Sequence, residues 1–147
     1  MIRAVLDTNV FVGACLGLGA ANRVLTIAIE NSTLQPIMGA ALFAELEDVL
    51  QREALFATCR LNGAERSELL DIYLAQSEWV RVYFGWRPNL RDEGDNHLVE
   101  LAVAAGAELI ITRNTRDFKS MELHFPGIRI LTPEEFLNTI RNKENLP

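Results

Sequence analysis

The chain has 147 residues, of which 49% are hydrophobic and 23% charged, a balance that excludes disorder and leads us to expect one domain, residues 1–147, large enough to bury a core. Its net charge of −6 is the wrong sign for a broad surface that coats nucleic acid, yet it suits a cluster of acids that turns positive once loaded with divalent cations. The two cysteines and two histidines share no zinc, disulfide or triad spacing, so any chemistry falls to the acids.

In chain order, IRAVL (2–6) reads as a buried strand that ends at Asp7. The next segment with helical spacing runs from about residue 20 to 31, with Val24, Leu25, Ala28 and Ile29 on one side. LQPIM (34–38) is a second strand, and 40–52 is a helix with Leu42, Leu46, Val49 and Leu50 in one stripe. A helix over 64–77 and a strand over 78–84, EWVRVYF, come next. GWRPNLRDEGD is a loop, followed by a helix over 96–105 that stops at Gly106. AELIIT (107–112) and IRIL (128–131) are further strands, and Thr132, Pro133 and Glu135 write a capping box that opens a last helix.

No apolar run is long enough to span a bilayer. Met1-Ile2-Arg3 leads straight into a strand, so no membrane association and a cytoplasmic location are expected. Strands alternating with helices specify an α/β fold with a mostly parallel central sheet covered on both faces, whose sites gather at the carboxyl ends of the strands.

Asp7 and Asp117 both follow strands and can meet at those ends. An isolated carboxylate among core residues must be hydrogen-bonded, paired, or bound to a cation. Glu45 flanks the apolar stripe of its helix, whereas Glu47 and Asp48 turn further toward solvent. Asp92 and Asp95 precede the helix at Asn96, where one acid suffices as a cap and two repel unless a cation or basic group lies between them. Each acid has an ordinary alternative as a turn, cap or solvated residue. Three or four together would make a hard-oxygen site for Mg2+ or Mn2+.

LDTNVFV, ALFAELEDVL, DEGDNHLVELAVAAGAELIITRNTRDF and IRILTPEEFL, in that order and spacing, resemble the PIN-domain nucleases, particularly the VapC-type toxins of toxin-antitoxin modules. The resemblance implies a three-layer α/β/α sandwich and a metal-dependent endoribonuclease with one or two Mg2+ (or Mn2+) ions. Matched position by position, it assigns metal and catalysis to Asp7, Glu45, Asp95 and Asp117, with Asp92 as an extra acid found in one branch. Thr8, Asn9, Thr112 and Asn114 become supporting or substrate-contacting groups. Arg113, Arg116 and Lys119, around Asp117, are placed to contact flanking phosphates or to form a plain basic turn.

The resemblance also implies an RNA substrate, a homodimer and an antitoxin covering the acidic groove. Residues 55–88 match no motif, so the RNA target and the choice between toxin and housekeeping nuclease stay open. The alternatives are a PIN nuclease of RNA processing and a catalytically silent module that binds nucleic acid or a partner. A haloacid-dehalogenase-type phosphotransferase would need a second Asp where Asn9 stands, and a receiver-like domain would need an acid pair that is not there.

Overall fold

The computed structural model describes residues 1–82, 96–119 and 125–144. Strands β1 (Ile2–Leu6), β2 (Leu34–Met38), β3 (Glu78–Trp79), β4 (Leu109–Ile111) and β5 (Arg129–Leu131) form one sheet in the order β3-β2-β1-β4-β5. Every neighbouring pair is parallel, with Ala4 opposite Pro36 on one side and Leu109 on the other. Ala4, Val5 and Leu6 are all buried although their side chains alternate between faces, so both faces must be covered, as a parallel sheet requires.

The helices supply that cover. Among the described residues they are α1 (Thr8–Cys15), α2 (Gly19–Glu30), α3 (Ala40–Leu50), α4 (Gly63–Gln76), α5 (Asn96–Ala105) and α6 (Pro133–Glu144). α2 packs on β2 beside α1, α4 and α6, while α5 packs on β1, β2 and β4. The chain first winds outward from β1 to β2 and β3, then returns across β1 to β4 and β5. Right-handed crossovers in opposite directions put the helices on opposite faces, giving the three-layer α/β/α sandwich. The reversal also opens a crevice at the carboxyl ends of β1 and β4, the place where ligands of such sheets bind.

Most element boundaries agree with the sequence expectation within a residue or two. α1 was not expected. Its residues TNVFVGAC include β-branched Thr8, Val10 and Val12 and a glycine, all weak helix formers, but Val10, Phe11, Gly13, Ala14 and Cys15 are buried, and tertiary packing overrides propensity. Gly13 permits that packing, because a Cβ there would lie 3.1 Å from the Ala21 Cβ of α2.

The strand expected over 78–84 is formed at Glu78–Trp79 and does not continue through 80–82, while 83–84 and the expected loop GWRPNLRDEGD lie outside the described residues. β3 is an edge strand whose one neighbour, β2, ends at Met38, and the last registered pair is Met38 with Trp79. The Val80 amide donates to the Met38 carbonyl at 2.9 Å, where β2 ends. Gly106 ends α5 with φ +63, and the Ala107 amide donates to the Ala102 carbonyl at 2.9 Å, a left-handed helix stop as expected. The Thr132–Glu135 capping box also forms, with bonds of 3.0 and 3.1 Å. No single helix among the described residues is long and apolar enough to cross a membrane.

Candidate active site

Asp7 stands where β1 gives way to α1. It occupies the N-cap position of α1, yet its side chain makes no cap hydrogen bond. The Thr112 hydroxyl, at the carboxyl end of the neighbouring β4, donates instead to Asp7 Oδ2 at 2.7 Å. Asp7 is 7% exposed and Thr112 is fully buried. Burial pushes the Asp7 carboxyl above its ordinary value, the Thr112 bond opposes the rise, and the negative charge of Glu45 adds to it.

The rest of the β4 end is built around the same hydroxyl. Asn9 Nδ2 donates to Thr112 Oγ1 at 3.3 Å and the Asn114 amide at 3.1 Å, while the Arg113 amide donates to Asn9 Oδ1 at 3.1 Å. Asn114 Nδ2 in turn donates to Asp117 Oδ2 at 2.7 Å. Asp117 lies on a 3-10 turn, Thr115–Phe118, anchored by the fully buried Phe118. One chain of hydrogen bonds thus joins Asp7, Thr112, Asn9, Asn114 and Asp117. Arg113, Arg116 and Lys119 are exposed beside it.

Glu45 comes from α3 and is half-buried. Its Oε2 lies 2.8 Å from His97 Nε2 of α5. The ring donates to the carboxylate as imidazolium or as the Nε2–H tautomer. That bond holds the Glu45 carboxyl below its ordinary value, against the opposing effect of burial, with a further lowering from Thr8. The Thr8 hydroxyl is buried and makes no well-formed hydrogen bond of its own among the described residues. His97 was not anticipated from the sequence, where it matched no motif; what could have marked it is its place on the first turn of α5, opposite the inward edge of α3.

Asp7, Thr8, Asn9, Glu45, Asn114 and Asp117, with Val12 and Val49, line one open pocket of about 300 Å³. His97 lies outside that lining and borders a larger, mainly apolar cleft of about 570 Å³ between α3, the end of β3 and α5. The expected ligands Asp92 and Asp95 lie outside the described residues. Among the described residues, no three His, Cys, Asp or Glu side chains come close enough to clasp one ion.

The chemistry of the pocket still suits a divalent cation. Its donors are carboxylate, amide and hydroxyl oxygens, the set that hard cations take. Asp7 and Glu45 repel each other across it, which a cation would relieve. The Thr8 hydroxyl beside Glu45 is a further buried oxygen, with no well-formed bond among the described residues.

The sequence matches the PIN domain family over residues 3–116. Among solved structures the fold is similar to that of a chain of VapBC2 from Rickettsia felis, a complex bound to a DNA fragment from its promoter, with a TM-score of 0.60 and 16% identity over 89% of this chain and 98% of that one. It is also similar to PAE2754 from Pyrobaculum aerophilum, with a TM-score of 0.55 and 16% identity over 96% of this chain and 90% of that one. No curated protein matches the chain. With most of its length inside the family match, and with the parallel sandwich those structures share, this chain belongs to the PIN domain family.

Proposed function

We propose that the protein is a Mg2+- or Mn2+-dependent endoribonuclease and the VapC-type toxin of a toxin-antitoxin pair. The observation that carries this reading is Asp7: a buried carboxylate at the sheet's topological switch point, gripped by Thr112 and facing a pocket shared with Glu45 and Asp117. Membership in a nuclease family and the likeness to a VapBC2 chain support it.

Asp7 and Glu45 would hold the ion, with Asp117 and Asp95 at the same ion or reaching it through water, and Asp92 is the further candidate. When bound, the cation supplies a Lewis acid that neutralises charge on a phosphodiester and makes a nearby water more acidic. The chain's part is to fix the acids. Thr112 orients Asp7, Asn114 orients Asp117, and Asn9 ties the β4 end to α1. Arg113 and Arg116, exposed on the rim, would contact phosphates on either side of the scissile bond. Hydrolysis by water needs no 2′-hydroxyl, so a preference for RNA would come from contacts with unpaired bases.

An antitoxin and a second copy of the chain are the partners this reading implies. Leu18, Leu55, Ile72, Trp79 and Val103 are exposed large apolar residues that could serve those interfaces. The test is twofold. Purified protein with Mg2+ or Mn2+ should cut a panel of defined RNAs and stop with EDTA, and its expression should arrest growth unless the product of a small neighbouring gene is present. A protein that binds RNA without cutting it under either ion would instead be a silent binding module.

A further inference from the structure

His97 sits one residue into α5, and its Nε2 meets Glu45 Oε2 at 2.8 Å across 52 positions of sequence. Its side chain is only 19% exposed, and the ring's other nitrogen, Nδ1, is buried with no partner among the described residues. A histidine serving only solubility would turn both nitrogens to water. Among the described residues the bond to Glu45 is the one hydrogen bond the ring makes, and it sets the ring's orientation. Glu45 itself is a long side chain on an open pocket wall, free to swing unless something holds it.

We propose that His97 is a positioning residue for Glu45: by donating to Oε2 it fixes the carboxylate and turns Oε1 toward a divalent cation. This rests on the reading of the pocket as a metal centre. The design inverts the common carboxylate–histidine–metal arrangement, in which the carboxylate supports a histidine ligand. Because the donor is Nε2–H in either protonation state of the ring, the arrangement does not depend on the ring's charge.

Outer-shell partners of this kind change metal affinity by about 10–100-fold, which sets the expected effect. Mn2+ binding is measured by calorimetry on the full chain, with the fold of each variant checked by circular dichroism and thermal melting. His97→Ala should weaken Mn2+ binding by at least about tenfold. His97→Gln, which keeps a side-chain N–H donor, should restore most of it. In a Glu45→Ala background, His97→Ala should add no further loss, because its effect passes through Glu45.

Equal Mn2+ binding by wild type and His97→Ala would overturn the proposal while leaving the metal centre intact. So would a Gln variant as weak as the Ala variant, or a full further loss in the Glu45→Ala background. A wild-type protein that binds no Mn2+ would remove the metal centre, and the role of His97 with it.

Discussion

Replacing Thr112 by Val keeps the shape of a fully buried side chain and deletes its hydroxyl. That hydroxyl donates to Asp7 Oδ2 at 2.7 Å and accepts from Asn9 Nδ2 at 3.3 Å and the Asn114 amide at 3.1 Å. The first bond ends on a carboxylate with little access to water and is worth about 1.5–3 kcal/mol, and the long Asn9 bond adds at most about 1 kcal/mol. The Asn114 amide belongs to an exposed residue and can turn to water. The expected loss in EDTA near neutral pH is therefore about 2–4 kcal/mol, a fall in Tm of roughly 5–15 °C for a chain of this size.

The pH dependence has a definite sign. The bond favours the ionised form of Asp7, whose folded pKa is raised above 3.8 mainly by burial. Its charge-assisted part is present where Asp7 is ionised and fades as pH falls through that raised value. Urea unfolding of both proteins at about pH 8 and again toward pH 4 should show the gap between them shrinking in acid. Thr112→Ser, which keeps the hydroxyl, should lose only the roughly 1 kcal/mol of a buried methyl. A Val variant as stable as the Ser variant, or a gap that does not change with pH, would refute the reasoning.

Asp7→Asn should abolish cleavage, by at least about a hundredfold, while stabilising the ion-free protein. A raised folded pKa means that Asp7 contributes stability below 3.8 and loses it as pH rises through the folded value, so the variant's advantage in EDTA belongs at neutral and alkaline pH and closes in acid. Melting curves with and without Mn2+ check this, and a less stable variant in EDTA would contradict it. Asn62→Ala removes the cap of α4, where Asn62 Oδ1 accepts from the Glu65 amide at 2.8 Å and Glu65 Oε1 from the Asn62 amide at 3.0 Å. It should lower stability by about 1 kcal/mol and leave RNA cleavage unchanged.

The parts of the fold that the sequence announces are those where local and tertiary preferences agree. IRAVL and LQPIM are short apolar strands between polar breaks, and 96–105 has both a buried stripe and a glycine stop at Gly106. α1 breaks that agreement, because its β-branched residues favour a strand and burial against α2 and Tyr73 of α4 makes it helical. EWVRVYF alternates like a strand, but strand length depends on a neighbour, and β2 ends at Met38. The acids Asp7, Glu45 and Asp117 are legible because strand ends and helix faces have fixed periods. The groups that grip them are less so: Thr112 and Asn114 stood out only beside a known pattern, and His97 not at all, since a contact across 52 residues leaves no local trace.

The most direct measurement is anomalous diffraction at the manganese edge from crystals of the protein grown with Mn2+. The expected result is a peak in the pocket about 2.1 Å from carboxylate oxygens of Asp7 and Glu45, with Asp117 and Asp95 at the same ion or bridged to it through water. A fully loaded crystal whose manganese lies elsewhere, with the Asp7 carboxylate touching only Thr112, would contradict the assignment of this pocket as a metal centre.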